Sequence, residues 1–145
     1  MPKKLITYKH MTGLAMIELA IATPFVLLMI LGSAEIGRAL YQYNILANAV
    51  RSGTRYYAAN STDDTGAKNL VVYGDIFGAG DALLPDLTTG TINTNADVEF
   101  VTVDASYAFQ FLSGNPLHGL RGLFGYSGSD LLTLRASLTM QIASP

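Results

Sequence analysis

Between Leu19 and Ala34 the chain reads LAIATPFVLLMILGSA, a run without a charged residue, and this run limits the fold more than any other feature. Extending it back to Leu14 gives 21 residues interrupted by one ionisable side chain, Glu18. As a helix they would cover about 31 Å, enough to cross the hydrocarbon core of a bilayer. A soluble protein could hide such a helix only by wrapping it on every side. A chain of 145 residues leaves too little protein for that. The composition agrees, with 50% hydrophobic residues and 14% charged, where a soluble domain has about 25% charged. Lys3, Lys4, Lys9 and His10 precede the run, and the first thirteen residues hold no acid. The positive-inside rule then puts the N-terminus in the cytoplasm and the remainder outside, as a single-pass membrane protein.

The same inventory removes whole classes of function. A net charge of -2 without a polybasic run argues against a nucleic-acid partner. The absence of Cys removes disulfides, thiolate zinc sites, iron–sulfur clusters and cysteine nucleophiles. His10 and His118 stand in unrelated contexts, with no Ser/His/Asp set around His118. The expectation is no enzyme, no cofactor and no metal site. Asp63, Asp64, Asp75, Asp81 and Asp86 lack the ligand spacing of a calcium loop and read as a solvated acidic surface. Gly78-Ala-Gly80 has no following Lys to cradle a phosphate and reads as a turn. Asn60-Ser61-Thr62 matches a glycosylation sequon by coincidence.

Beyond the apolar run the helical pattern continues. Ile36, Leu40, Tyr43, Ala47, Val50 and Tyr57 follow a four-three spacing interrupted at Thr54, with Arg38, Gln42, Asn44, Asn48, Arg51 and Arg55 on other faces. A continuous helix from Leu14 to Ala59 would be about 69 Å long. Pro24 lacks an N–H, so a kink or a melted turn is expected near Ala20. The polar stretch 60–66 should turn the chain, and Asp64 or Thr65 should cap a short helix ended by Gly74.

Further on, the period becomes two. Val101, Val103, Ala105, Tyr107, Phe109 and Phe111 would line one face of a strand, and Leu132, Leu134, Ala136, Leu138, Met140 and Ile142 one face of another. Paired antiparallel, they would bury both apolar rows against the outer half of the helix, with a third short strand within 91–98. Between the two strands, 113–130 reads as an exposed loop carrying Gly119, Gly122, Gly125 and Gly128 with His118, Arg121 and Tyr126. The fold class is therefore α+β: a long N-terminal helix packed on a small antiparallel sheet. The chain divides into a basic leader (1–13), a transmembrane helix (14–36), its extracytoplasmic continuation (37–59) and a small exported domain (60–145).

Two processing schemes fit the N-terminal segment. Gly32-Ser33-Ala34 could precede a signal-peptide cut ahead of Glu35. Alternatively the cut follows Gly13, the apolar helix is retained, and Glu18 becomes the fifth residue of the mature chain. A basic leader ending in Gly before an apolar helix with Glu at its fifth residue resembles the type IV prepilins. More closely, Gly13-x-x-x-x-Glu18-Leu-Ala-x-x-x-Pro24, Gly32-x-x-Glu35-x-Gly37-Arg38 and Ala49-Val-Arg51-x-Gly53-x-Arg55 resemble the TadE-like proteins, minor pilins or pseudopilins of the Tad (Flp) pilus, over residues 11–59. Leu19 departs from the Phe frequent in that family and from the Tyr of major Flp pilins, which consist of little beyond the helix. Asp104-Ala-Ser106-Tyr-Ala108 is a broken form of the Asp-x-Ser-x-Ser motif of TadG-like relatives and reads here as strand.

The resemblance implies a pilin-like fold in a bacterial cytoplasmic membrane, cleavage by a prepilin peptidase between Gly13 and Leu14, and partners among other Tad/Flp pilins, minor pilins and the lipid bilayer. It also implies an assembly role for Glu18, whose carboxylate would meet the new α-ammonium of Leu14 on a neighbouring subunit. Arg51 and Arg55, one turn apart, would orient the sheet on the helix through a carboxylate of the head, or else stand solvated. From other classes, a membrane-tethered or secreted binding module without a filament needs no processing at Gly13, and a secreted enzyme lacks every usual catalytic group.

Overall fold

The computed structural model describes residues 11–111 and 132–142, and the leader cations and the glycine-rich connection with His118, Arg121 and Tyr126 lie outside the described residues. One helix, α1, runs unbroken over Met11–Ala59, 49 residues. Its most apolar 18-residue window has a mean hydropathy of 2.4 and none of it is buried, so by length and composition it can cross a membrane. Helicity continues through Pro24, and the melted turn expected near Ala20 does not form. A proline removes one N–H from the ladder, and the Thr23 hydroxyl beside it donates to the Leu19 carbonyl at 2.6 Å. Both bonds considered for processing, Gly13–Leu14 and Ala34–Glu35, lie inside α1.

A second compact unit begins at Gly37 and includes the rest of α1. After α1 the chain turns at Asn60 and forms α2, Asp64–Tyr73. Its cap is Asp63, one residue earlier than expected, because that carboxylate accepts the Gly66 N–H at 2.9 Å. The Tyr56 hydroxyl donates to the other Asp63 oxygen, tying the last turn of α1 to the first of α2. This bond holds the Asp63 carboxyl below its ordinary range and the Tyr56 phenol above its own. Gly74 ends α2 in the left-handed conformation, its N–H bonded to the Leu70 carbonyl. A loop leads to a 3₁₀ turn, Thr89–Thr91, and then to β1 (Ile92–Ala96), β2 (Phe100–Phe109) and β3 (Leu132–Gln141).

The strands form one antiparallel sheet in the order β1-β2-β3, with Ala105 opposite Ile92 on one side and Ala136 on the other. Val101, Val103, Ala105, Tyr107 and Phe109 all point into the core, as their alternation predicts. Asp104 and Ser106 lie on the opposite face of β2, so the Asp104–Ala108 segment is strand. The apolar row of β3 fares differently. Only Ala136 is buried; Leu134, Leu138 and Met140 are half-covered and Leu132 is exposed. An edge strand has a neighbour on one side only, so its row cannot be covered as fully as that of the centre.

The helix face that meets the sheet also differs from the expected one. Ile36, Leu40 and Tyr43 are exposed, while Leu46, Ala49, Val50, Gly53, Thr54 and Tyr57 are buried. The expected stripe and the buried one share Val50 and Tyr57, and before Val50 the head covers the neighbouring face, where Leu46 and Ala49 are buried. Gly53 marks the closest approach of α1 to α2. A Cβ there would lie 2.4 Å from Val71 Cγ2 and 3.2 Å from the Ala67 carbonyl, and Val71 is fully buried. A Cβ at Gly37 would meet nothing within 4 Å. Gly53→Ala is therefore expected to destabilise the head by about 1–3 kcal/mol through overpacking. Gly37→Ala should be neutral or stabilise by up to about 1 kcal/mol through helix propensity. Urea unfolding of the two variants side by side checks the contrast in sign.

Candidate functional site

The residues assigned a role at the start of α1 form a single stripe. Leu14 and Glu18 are four residues apart on one helix, so their side chains share a face about 6 Å apart along the axis. Leu14 is 72% exposed, and Ile17 and Ile21 beside them are exposed as well. Glu18 is exposed too, and a side chain at Gly13 would meet no neighbour. Between Met11 and Ile36 there is no Lys or Arg, so this stretch of helix offers Glu18 no cation of its own. The arrangement presents one carboxylate on an otherwise apolar surface.

In the head, the arginine of α1 that reaches the sheet is Arg38, while Arg51 and Arg55 stay at the surface. Arg51 donates to Asn48 Oδ1 at 3.2 Å, one turn back, and both Arg51 and Arg55 are exposed. Among the described residues neither meets a carboxylate. The Arg38 guanidinium lies over the Phe109 ring, 4.8 Å from its centroid, and donates to the Gln110 carbonyl. Phe109 in turn packs edge-on against Phe111, ring centroids 5.3 Å apart. The Gln110 amide donates to Asp86 Oδ2 at 3.1 Å. Asp86 has φ 60 and follows Pro85 in a turn closed by the Leu87 N–H on the Leu84 carbonyl. Burial pushes the nearby Tyr107 phenol up; the Asp86 charge adds to the rise and Arg38 opposes it.

Gly37-Arg38 stands in the sequence motif, yet nothing in one sequence says that Arg38 reaches the Gln110 carbonyl, 72 residues away. The other acids have local tasks that their spacing did not reveal. Asp64 pairs with Lys68 at 2.7 Å and accepts from Thr94. Asp75 accepts the N–H groups of Phe77 and Ala79. Among the described residues no three His, Asp or Glu gather where they could hold a metal ion.

Replacing Arg38 with Met keeps the aliphatic stem and removes both the ring contact and the donor. The expected loss is about 1–3 kcal/mol, with Arg38→Lys falling between, since Lys lacks the planar fork. Denaturant titration of the solubilised full chain, followed through tyrosine fluorescence, checks the order.

No curated protein and no solved structure matches the chain. A family model matches α1 from Gly13 to its last turn but one: residues 13–55 match the family described as TadE-like protein.

Proposed function

We propose that the chain is a membrane-anchored minor pilin, or pseudopilin, of a Tad/Flp-type pilus, acting in pilus assembly, initiation or anchoring. The observation that carries this reading is the family match over residues 13–55. An exposed, bilayer-length helix whose one ionisable residue stands four positions after Leu14 supports it. On this reading the precursor is inserted with its N-terminus in the cytoplasm, a prepilin peptidase cuts after Gly13, and the helix packs against other pilin helices as subunits leave the bilayer. Glu18 then meets the α-ammonium of a neighbouring subunit, turning two costly intramembrane charges into one neutral pair. The work is structural rather than catalytic, and needs no cofactor.

Mass spectrometry of the N-terminus of the native protein tests the reading. A start at Leu14 supports the pilin, a start at Met1 or Pro2 an uncleaved tether, and a start at Glu35 a secreted domain. Gly13→Leu should leave the leader attached, because a protease that works on extended backbone loses the one residue without a Cβ at the bond. Mature product of normal size from this variant would sink the proposal. Glu18→Ala should insert and be cleaved normally but fail to co-purify with the other pilins. Wild-type recovery of those partners with Glu18→Ala would remove the pairing mechanism.

A further inference from the structure

Two charged residues, Glu35 and Arg38, end the apolar run of α1, and both share a stripe of the helix with buried Leu46 and Ala49. Glu35 is itself 6% exposed, and Arg38 is half-buried with its guanidinium over the Phe109 ring. The uncovered side of the helix follows a different course. Ile36, Leu40, Asn44, Asn48, Arg51 and Arg55 recur at spacings of three or four, which places them on one side of α1. All of them are exposed. This stripe is apolar through Leu40 and polar from Asn44 onward. Tyr41 and Tyr43, 67% and 41% exposed, flank the change. Along the chain the uncharged run stops at Ala34, but on this surface the apolar stretch stops at Tyr43.

The helix is unbroken over this whole length. From Leu14 to Tyr43 it measures about 44 Å, and a bilayer with both headgroup layers is about 40–45 Å thick. A helix that begins at the inner surface therefore leaves the outer headgroups at Tyr43. Tyrosine suits that level, because its ring is apolar and its hydroxyl seeks water. Facing lipid, Glu35 and Arg38 would be costly before this level is reached. On the covered side they leave the lipid-facing surface apolar. A neighbouring apolar helix could also cover Ile36 and Leu40. It would not account for paired tyrosines, and then asparagines, at the height that bilayer thickness sets.

We infer that the uncovered face of α1 from Ile36 to Tyr43 is a lipid-contact surface, with Tyr41 and Tyr43 at the level of the outer headgroups. Arg38 lies within the same stretch and already touches Phe109, so no bare stalk of helix separates the bilayer from the head. One side of these turns packs on protein while the other meets lipid. This placement rests on the membrane anchoring of the proposed function, but on neither cleavage at Gly13 nor a filament.

The chain contains no Trp and no Cys, so a single introduced residue of either kind reports alone. The test uses the full chain in phosphatidylcholine vesicles whose acyl chains carry bromine near the carbonyl end or near the methyl end. Fluorescence of Tyr41→Trp should be quenched most by the shallow bromines, and that of Met29→Trp, midway along the span, by the deep ones. With a membrane-impermeant maleimide on both sides, Leu40→Cys should react about tenfold more slowly than Asn48→Cys, or slower still, because apolar surroundings keep a thiol protonated. Equal rates at the two positions would overturn the inference. So would slow labelling of Leu40→Cys without quenching of Tyr41→Trp, the pattern that a protein cover would give. Quenching of Met29→Trp without quenching of Tyr41→Trp removes the lipid-contact surface and leaves the anchor standing. Quenching of neither removes both.

Discussion

One helix changes character along its length, and the rest of the molecule follows from where α1 makes that change. Over the stretch from Leu14 to Ala34 every residue but Glu18 is uncharged, which by length and composition lets the helix cross a bilayer, where backbone polar groups can be satisfied only within the helix. From Gly37 onward it needs apolar residues on one side only, where the sheet and α2 cover Leu46, Val50 and Tyr57. The change of composition occurs without a break in the backbone. Independent stability asks of a small sheet that its hydrophobic face be covered, and the outer half of α1 supplies part of the surface that the centre strand needs. Burying side chains such as Phe109, Leu46 and Val103 contributes about 1.5–3 kcal/mol each.

Packing of this kind is not directional, so something else must fix how α2 and the sheet sit on the outer half of α1. Two features do so at opposite ends of the contact. At one end Gly53 lets α2 approach α1 so closely that no side chain fits between them. At the other, Arg38 covers Phe109 and holds the Gln110 carbonyl just past the end of β2. A guanidinium suits this place because it stacks on a ring with its face and donates with its edge. Asp86 supports the arrangement through Gln110 from a turn with φ 60. That backbone region is uncommon for non-glycine residues, and Asp and Asn tolerate it best.

What could be read in the sequence divides along the range of the interactions. The apolar run, the length of α1, the glycine that ends α2 and the inward row of β2 depend on neighbours within a few positions, and periodicity reveals them. The buried face of α1 could not be read, since Ile36, Leu40 and Tyr43 continue a perfectly good stripe that the sheet does not happen to cover. Nor could the half-exposure of β3, because alternation reports which residues share a face and not whether the strand sits at an edge. The Arg38 contact spans 72 positions and has no local signature. Charge spacing drew attention to Arg51 and Arg55, where the structure gives Arg51 a partner only one turn back. Asp63 reads as a loop acid in the sequence because a cap depends on which residue the helix starts after, a boundary that composition fixes only to within a residue.

The acids taken together sharpen the case of Glu18. Asp63 caps α2, Asp64 pairs with Lys68, Asp75 organises the turn at Phe77, and Asp86 holds Gln110. Each of these carboxylates has a partner in its own chain and a place where water can reach it. Glu18 lies on an exposed apolar helix surface with no Lys or Arg between Met11 and Ile36. A charged acid at the centre of a bilayer costs about 2.5–3.5 kcal/mol on insertion scales, less near the interface. A leucine there would anchor the chain better, so anchoring does not explain the glutamate. Either the carboxylate reaches the headgroups, or its countercharge comes from another molecule. Cleavage after Gly13 would make such a charge at Leu14 of every subunit, on the same face and one turn away. On the pilin reading, the carboxylate that a lone anchor would do better without becomes the group that favours association with a neighbour over remaining alone in the membrane.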